Sequence, residues 1–341
     1  LAQRVKKLLF AAPGRIQLVA DALDAPPPGH ALVRTLTSAI SAGSELLAFR
    51  GQLPADTPLD ETLGALGQAT FAFPFPYGYA CVGEIAAVGV DVDVDADAAW
   101  VGRRVFAFQP HATMFVAPLA DLRPVPDGLA PERAALFAQM ETAINLVLDG
   151  APLQGETVLV IGLGVVGLLT TALLSRFPLA ALAVSEPRPR RTQAARALAA
   201  RPIVTGADEI RSALGARGAD LVYELSGNPE ALDEAIAAAG HEARVVIGSW
   251  YGDKRSRVDL GGRFHRRRLR IVSSQVSHIG AALSARWDRQ RRFDEAWRAL
   301  ADIDTLPLVS HRVPFEEAQA AYELLDRTPG DALQVLLDYR S

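Results

Sequence analysis

Val158-Leu-Val-Ile-Gly-Leu-Gly-Val-Val-Gly167 decides how the rest of this chain is read. A β-branched apolar run passes without a linker into Gly162-x-Gly164-x-x-Gly167, and then into Leu168-Leu-Thr-Thr-Ala-Leu-Leu174. That order predicts strand, tight turn and helix. Glycines at those three places allow a sharp turn, a close backbone approach to a pyrophosphate and tight packing of helix on strand. The helix start at Val165 and Val166 offers free N–H groups to the anion.

A glycine turn alone is weak, because such turns also arise for purely conformational reasons. Here the flanking sequence agrees with it. Leu179-Ala-Ala-Leu-Ala-Val184 reads as a second strand and ends in Ser185-Glu186, with Glu186 about twenty residues beyond the third glycine, where an acid meets the adenosine ribose hydroxyls. Glu186 favours NAD. Arg188, Arg190 and Arg191 just beyond are suited to a 2′-phosphate, so NADP stays open as the second choice.

The chain has 341 residues, half of them apolar, which is enough for two domains with large cores. A formal charge of -4 argues against general nucleic-acid binding, although Gly262-Arg-Phe-His-Arg-Arg-Arg-Leu-Arg270 is a strong local basic run. Without aromatic interleaving, that run reads as a solvated loop or as a receptor for an anionic substrate or cofactor phosphate. Cys81 is the only cysteine, so neither an internal disulfide nor a cysteine-built zinc site can form, and a cytoplasmic location is expected. The start Lys6-Lys7-Leu-Leu-Phe-Ala-Ala12 has the charge pattern of a signal peptide, but its apolar run is cut at Pro13-Gly14. No stretch reaches the roughly 18 apolar residues of a membrane span, so no membrane contact is expected.

Residues 1 to 125 read as short strands separated by Pro, Gly and Asp: 15–19, 31–36, 83–88, 104–108 and 114–116. A long connection runs from Gln52 through Phe71-Ala-Phe-Pro-Phe-Pro-Tyr77, and loops of that length often carry function. From Pro131 the periodicity becomes helical over 132–148. Strands at 183–184, 203–204, 220–225, 244–248 and 269–272 then alternate with helices, as in a doubly wound parallel sheet. Past Gln275 the chain becomes polar and helical at 287–300 and 313–325, and 332–337 forms a closing strand. The expected arrangement is a discontinuous β-rich domain, 1–125 with 276–341, around a nucleotide-binding domain, 126–275, with a ligand cleft between them.

These features together resemble the medium-chain dehydrogenase/reductase superfamily. The resemblance rests on Ile40-Ser-Ala-Gly-Ser-Glu-Leu-Leu-Ala-Phe-Arg-Gly51, on Gly78-Tyr-Ala-Cys-Val-Gly-Glu-Ile-Ala-Ala-Val-Gly89, on the glycine turn, and on Glu224-Leu-Ser-Gly227 with Val245-Val-Ile-Gly248. It implies an α/β protein with a chaperonin-10-like, β-rich catalytic domain and a Rossmann domain. Aligning Gly43-Ser44-Glu45 with the superfamily's Gly-Ser/Thr-Asp puts Ala42 at the cysteine ligand of zinc-dependent members. Tyr79 and Ala80 then stand at their His-Glu pair, and Ala138 near their third ligand. A zinc-lacking branch is implied, similar to the one containing the bacteriochlorophyllide hydroxyethyl dehydrogenase. Superfamily members are usually homodimers or homotetramers, often paired through an edge strand, for which Arg244–Gly248 or Arg270–Ser273 are the candidates.

Hydride transfer at a carbonyl carbon needs a proton donor or acceptor at the oxygen. By resemblance, Ser44 stands where zinc members hydrogen-bond the alcohol, and Tyr79 stands where a ligand histidine would sit. Tyr79 with Ser44 is the expected catalytic pair and Glu45 the acid that orients them; the alternative is that Tyr79 packs in the cleft floor and Ser44 caps a turn. Thr142, beside Glu141, is the expected nicotinamide contact, against ordinary helix surface. Gly162, Gly164, Val165, Val166, Gly167, Glu186, Arg191, Ser226, Gly248 and Ser249 complete the expected cofactor site. His111 and His265 lack ligand-spaced partners and read as structural. The expected activity is a zinc-independent, NAD(P)-dependent interconversion of a secondary alcohol and a ketone on a bulky apolar small molecule, the bulk being read from the 71–77 aromatic run. A zinc-free enoyl or quinone reductase and a catalytically inactive nucleotide-binding protein are the alternatives.

Overall fold

The computed structural model describes residues 3–67, 69–89, 99–330 and 332–340. It contains two compact units, Leu1–Ala138 with Val309–Ser341 and Gln139–Leu308. Residues 126–138 thus lie with the first unit and 276–308 with the second.

The first unit opens with an antiparallel hairpin of β1 (Gln3–Ala12) and β2 (Arg15–Leu23). The basic-then-apolar start is therefore a strand, and its Leu8 and Phe10 are fully buried on one face, as period-2 alternation requires. There follow β3 (His30–Ala39), α1 (Ala42–Arg50), β4 (Phe75–Pro76), β5 (Cys81–Val88), β6 (Arg104–Ala107), β7 (Met114–Pro118) and β8 (Arg123–Pro124). The long connection before β4 is pinned as a hairpin-like loop: Leu59 N–H donates to Ala69 O, Phe71 N–H donates to Thr57 O, and Asp60 accepts from the backbone of Thr62 and Leu63.

The single helix expected over 132–148 is two, α2 (Pro131–Ala134) and α3 (Phe137–Gly150). Leu136 N–H bonds to Arg133 O three residues back, which tightens the first turn before the helix restarts.

The second unit is a five-stranded parallel sheet. In chain order it runs β9 (Thr157–Ile161), α4 (Val165–Leu174), β10 (Ala181–Ser185), α5 (Pro189–Leu198), α6 (Ala207–Leu214), β11 (Ala219–Glu224), α7 (Ala231–Ala238), β12 (Ala239–Ile247), β13 (Arg270–Ser273) and α8 (Arg289–Asp302). The strand order is β10-β9-β11-β12-β13. Its strands bury both faces under helices, so they read as continuous apolar runs. The strand expected at 203–204 is a single bridge from Val204 to Ala183, because the chain turns at Gly206 straight into α6. β12 lies between β11 and β13, so Arg244–Gly248 cannot be the edge; β13 is.

The chain returns to the first unit through β14 (Val309–Pro314), α9 (Ala318–Arg327) and β15 (Gln334–Asp338). The larger sheet runs β14-β15-β3-β5-β6-β8, and β7 shares the edge of β3 with β15. β15 pairs with Thr37 to Ala39, and β7 pairs with His30 to Arg34. The core between α1, α9 and the smaller sheet is aromatic. Phe10 stacks on Phe75 at 5.3 Å and meets Tyr322 edge-on at 5.3 Å, while Phe71 and Tyr77 pack against them. Phe71, Phe75 and Tyr77 are thus core residues, and the 71–77 run no longer argues for a bulky apolar substrate. Among the described residues, no helix is long and apolar enough to cross a membrane.

Candidate functional site

Each of the three glycines at the end of β9 answers a different constraint. Gly162 has φ +91, and a Cβ on it would lie 2.5 Å from Ser226 Cα on the neighbouring strand end. A Cβ on Gly167 would lie 2.1 Å from Gly162 O, so α4 rests directly on the turn. At Gly164 a Cβ would meet nothing within 4 Å. Gly164 is also the residue preceding α4, and no side chain caps that helix. A turn closed on two sides and open at its middle glycine, with uncapped N–H groups behind it, fits a dinucleotide pyrophosphate.

Glu186 stands just past the end of β10 with its carboxylate buried. It accepts from Leu163 N–H inside the glycine turn at 3.0 Å and from Arg188 N–H at 3.1 Å. Arg188 Nη1 and Arg191 Nη1 lie 3.2 and 3.7 Å from its oxygens. Glu186 and two of the three nearby arginines, Arg188 and Arg191, therefore form one ion cluster, fixed to the turn. Burial lowers the Arg191 pKa, while Glu186 acts to raise it.

Ser226, Gly248 and Ser249 gather at the carboxyl ends of β11 and β12, where ligands bind in open α/β sheets. Ser226 N–H and hydroxyl donate to the buried Glu224, which also accepts from Tyr251 at 2.5 Å. Burial and this carboxylate push the Tyr251 pKa well up. Ser249 Oγ accepts from Gly227 N–H at 2.9 Å, and a Cβ on Gly248 would lie 2.6 Å from the side chains of Leu146 and Leu225.

Thr142 is half-buried on α3, but the adjacent Glu141 is no surface residue. Its carboxylate accepts from Arg292 Nε and Nη2 at 3.1 and 2.7 Å, and both side chains are buried. Arg292 also donates to Asn145 Oδ1 at 2.6 Å, and Asn145 in turn donates to Asp149. The basic run at 262–270 is turned partly back onto its own unit, Arg263 donating to Ala237 O and Arg267 to Ala239 O.

In the first unit the hydroxyls come together at the start of α1. Tyr79 Oη donates to Ser41 Oγ at 2.6 Å and lies 3.2 Å from Ser44 Oγ. Tyr79 and Ser44 are therefore adjacent, and Ser41, absent from the expected pair, is the nearer partner. Burial pushes the Tyr79 pKa up to about 12, against the two serine hydrogen bonds, which lower it. Glu45 is fully buried and accepts from Ser41 N–H at 2.7 Å. His111, read from sequence as a lone structural histidine, has Nε2 3.0 Å from Glu45 Oε2 and Nδ1 2.7 Å from Ser38 Oγ. Nothing local in the sequence joins these residues.

By the resemblance, the ligand positions of zinc-dependent dehydrogenases fall on Ala42, Tyr79, Ala80 and Ala138, a set without thiolate, imidazole or carboxylate. Among the described residues, no group of three His, Cys, Asp or Glu is placed to hold a metal.

No protein-family model matches the chain. Sorbitol dehydrogenase of Bacillus subtilis is 28% identical over 220 residues, 62% of this chain and 59% of that protein. L-Threonine 3-dehydrogenase of Pyrococcus abyssi is 26% identical over 216 residues, 62% and 59% of the two chains. The match thus spans about three fifths of the length of these curated relatives. Over nearly the whole chain the fold is shared with solved structures. L-Idonate 5-dehydrogenase of Escherichia coli has a TM-score of 0.79 at 15% identity, covering 99% of both chains. An alcohol dehydrogenase of Thermus sp. ATN1 has a TM-score of 0.75 at 24% identity, covering 98% of this chain and all of that one. Over 98–99% of its length the chain shares the two-domain fold of these solved alcohol and polyol dehydrogenases.

Proposed function

We propose that this chain is an NAD-dependent oxidoreductase that interconverts a secondary alcohol and a ketone without a bound zinc ion. The observation that carries this reading is the Tyr79–Ser41–Ser44 hydroxyl cluster, whose Tyr79 the resemblance aligns with a ligand position of zinc-dependent members. The dinucleotide, when bound, supplies the acceptor or donor of the hydride. Gly162, Gly164, Val165, Val166 and Gly167 would hold its pyrophosphate and Glu186 its ribose hydroxyls, with Arg191 beside that acid. Thr142, Ser226, Gly248 and Ser249 would line its nicotinamide side. The Glu186–Arg188–Arg191 cluster supports NAD first and leaves NADP as the cofactor that would move weight to the arginines.

Tyr79 does the proton work. With a pKa near 12 it is a neutral phenol at pH 7 and donates its proton to the carbonyl oxygen in reduction. Ser41 and Ser44 can then turn their own hydroxyls toward the phenolate oxygen at 2.6 and 3.2 Å and stabilise it. In oxidation Tyr79 takes the alcohol proton back, so oxidation rises with pH between about 6 and 9 while reduction stays nearly flat.

The substrate class supported by the relatives' names is an alcohol or polyol. Solubility and a cytoplasmic location belong to the same reading, as does pairing into a homodimer through the edge strand β13. The test is titration of metal-analysed protein with NADH and NADPH, followed by a panel of sorbitol, 2,3-butanediol, L-threonine, cyclic ketones and enones. Tyr79→Phe is expected to lower turnover about 100-fold and leave the NADH dissociation constant within about twofold. Stoichiometric zinc or full activity of Tyr79→Phe would sink the proposal. Turnover confined to enones would replace it with the enoyl or quinone reductase reading, and NADH binding with no turnover would favour an inactive nucleotide-binding protein.

A further inference from the structure

We infer that His111 is a positioning residue for Tyr79, acting from two sides at once; this rests on the reading of Tyr79 as the proton donor. Through its side chain, His111 Nε2 meets Glu45 Oε2 at 3.0 Å, and Glu45 Oε1 accepts from Ser41 N–H at 2.7 Å. Ser41 is the residue whose Oγ receives the Tyr79 hydroxyl at 2.6 Å. Through its backbone, His111 N–H donates to Tyr77 O at 3.3 Å, two residues before Tyr79. Between them lies Gly78, at φ +100, where a Cβ would lie 2.4 Å from the His111 ring. Only glycine lets the chain pass this close to the imidazole. Both the phenol's own segment and its hydrogen-bond acceptor are therefore tied to one buried residue, the segment by its backbone N–H and the acceptor by its imidazole through Glu45.

The polarity of the network follows from its chemistry. An ionised Glu45 only accepts, and its oxygens already take Ser41 N–H and the Tyr322 hydroxyl, so Nε2 of His111 carries the hydrogen that faces it. Nδ1 then either accepts from Ser38 or, on an imidazolium, donates to it. Ser38 Oγ has Tyr339 Oη as its other partner at 2.8 Å, so the chain of hydroxyls can turn either way. Glu45, His111 and Ser38 are fully buried, and removing one partner leaves the others unsatisfied in a low dielectric.

Two replacements separate the imidazole's two partners, and both keep the backbone N–H to Tyr77 O. Glutamine places its amide N–H near the position of Nε2 and keeps the donor to Glu45, whereas asparagine reaches only toward Ser38. The experiment labels the six tyrosines with ¹³C at Cζ, assigns the Tyr79 resonance with Tyr79→Phe, and compares His111→Ala, His111→Asn and His111→Gln. The Tyr79 signal is expected to move in the alanine and asparagine variants and to return toward wild type in the glutamine variant, while Tyr223 and Tyr251 in the other unit stay in place. Turnover on the best panel alcohol should fall about tenfold in His111→Asn with KM unchanged and recover in part in His111→Gln. If the alanine variant does not fold, the asparagine and glutamine variants, which refill the site, decide the matter. A Tyr79 signal unmoved by asparagine, or moved equally by asparagine and glutamine, would overturn the inference and leave the proposed function standing. Full turnover by Tyr79→Phe would remove the proposed function and leave the spectral coupling readable.

Discussion

Gly162→Ala is expected to cost the nucleotide-binding unit more than about 3 kcal/mol and to weaken NADH binding at least about 100-fold. Two independent penalties add at this position. A non-glycine residue held at φ +91 costs about 1–2 kcal/mol. The new methyl would also lie 2.5 Å from Ser226 Cα, 2.6 Å from Ser226 N and 2.8 Å from Leu225 C, all backbone of the neighbouring strand end, which no rotamer change relieves. β9 and β11 would have to part at the point where the ligand is expected. Gly164→Ala is the matched control, since φ is -65° and a Cβ meets nothing within 4 Å. Its stability should stay within about 1 kcal/mol of wild type, and its NADH affinity should fall about tenfold or more because the methyl occupies the approach of the phosphates. Urea unfolding with NADH titration on both variants separates the outcomes. Unchanged affinity in Gly164→Ala would mean that the pyrophosphate does not use this turn.

That contrast also marks what the sequence makes legible. The glycine turn could be read because strand, turn and helix are contiguous and each has its own local signature, and the roles assigned to Gly162 and Gly167 are those their neighbours impose. Alternating strands and helices gave the parallel sheet for the same reason. Where local pattern and tertiary constraint part, the reading fails in a physically intelligible way. Ile203-Val204 has strand composition but meets only one partner residue before Gly206 begins a helix. The basic-then-apolar start has the sign pattern of a leader, yet Leu8 and Phe10 alternate into an aromatic core supplied by residues far along the chain. The Phe71–Tyr77 run suggested a pocket wall, because sequence does not say which side of a ring faces protein.

The site is less legible than the fold because its determinants are non-local. Ser44 and Glu45 were reachable through a contiguous motif, and Tyr79 through its alignment with a ligand position. The partner that holds Glu45 is His111, 66 residues away, and the partner of Ser38 includes Tyr339, 301 residues away. No spacing rule connects them; the pairing of β15 with β3 brings Tyr339 to Ser38, and the backbone bonds of His111 to Leu8 and Tyr77 seat the histidine. The cofactor contest was legible as a list of residues but not as an arrangement. In the sequence Glu186 and the arginines read as rivals; the fold joins Glu186, Arg188 and Arg191 into a single cluster on Leu163 N–H.

Arg292→Met is expected to destabilise the same unit by about 3–5 kcal/mol, the largest effect anticipated for any single side-chain change outside the glycine turn. The guanidinium is fully buried and makes four hydrogen bonds: two to Glu141 Oε1, one to Asn145 Oδ1 and one to Val276 O at 2.5 Å. Methionine fills much of the volume, so the loss is chiefly electrostatic: the Glu141 charge stays buried without the guanidinium, and two oxygens lose their donor. The double variant Arg292→Met with Glu141→Leu removes both charges and should recover most of the loss, leaving about 1–2 kcal/mol from the Asn145 and Val276 groups. The recovery, the difference between the single and the double variant, is then about 2–3 kcal/mol. A buried pair of this kind adds little net stability over an apolar pair, but it fixes register: Arg292 on α8 selects the turn of α3 that carries Glu141 and, one residue on, Thr142. NADH affinity should therefore fall more in Arg292→Met than in the double variant only if the stranded charge, rather than the lost register, disturbs the cofactor site. Equal loss of affinity in both, with stability restored in the double, would assign Arg292 the placing of Thr142. A cost below about 1 kcal/mol in Arg292→Met would mean that water reaches Glu141 when the arginine is gone, and that the pair does not hold α3.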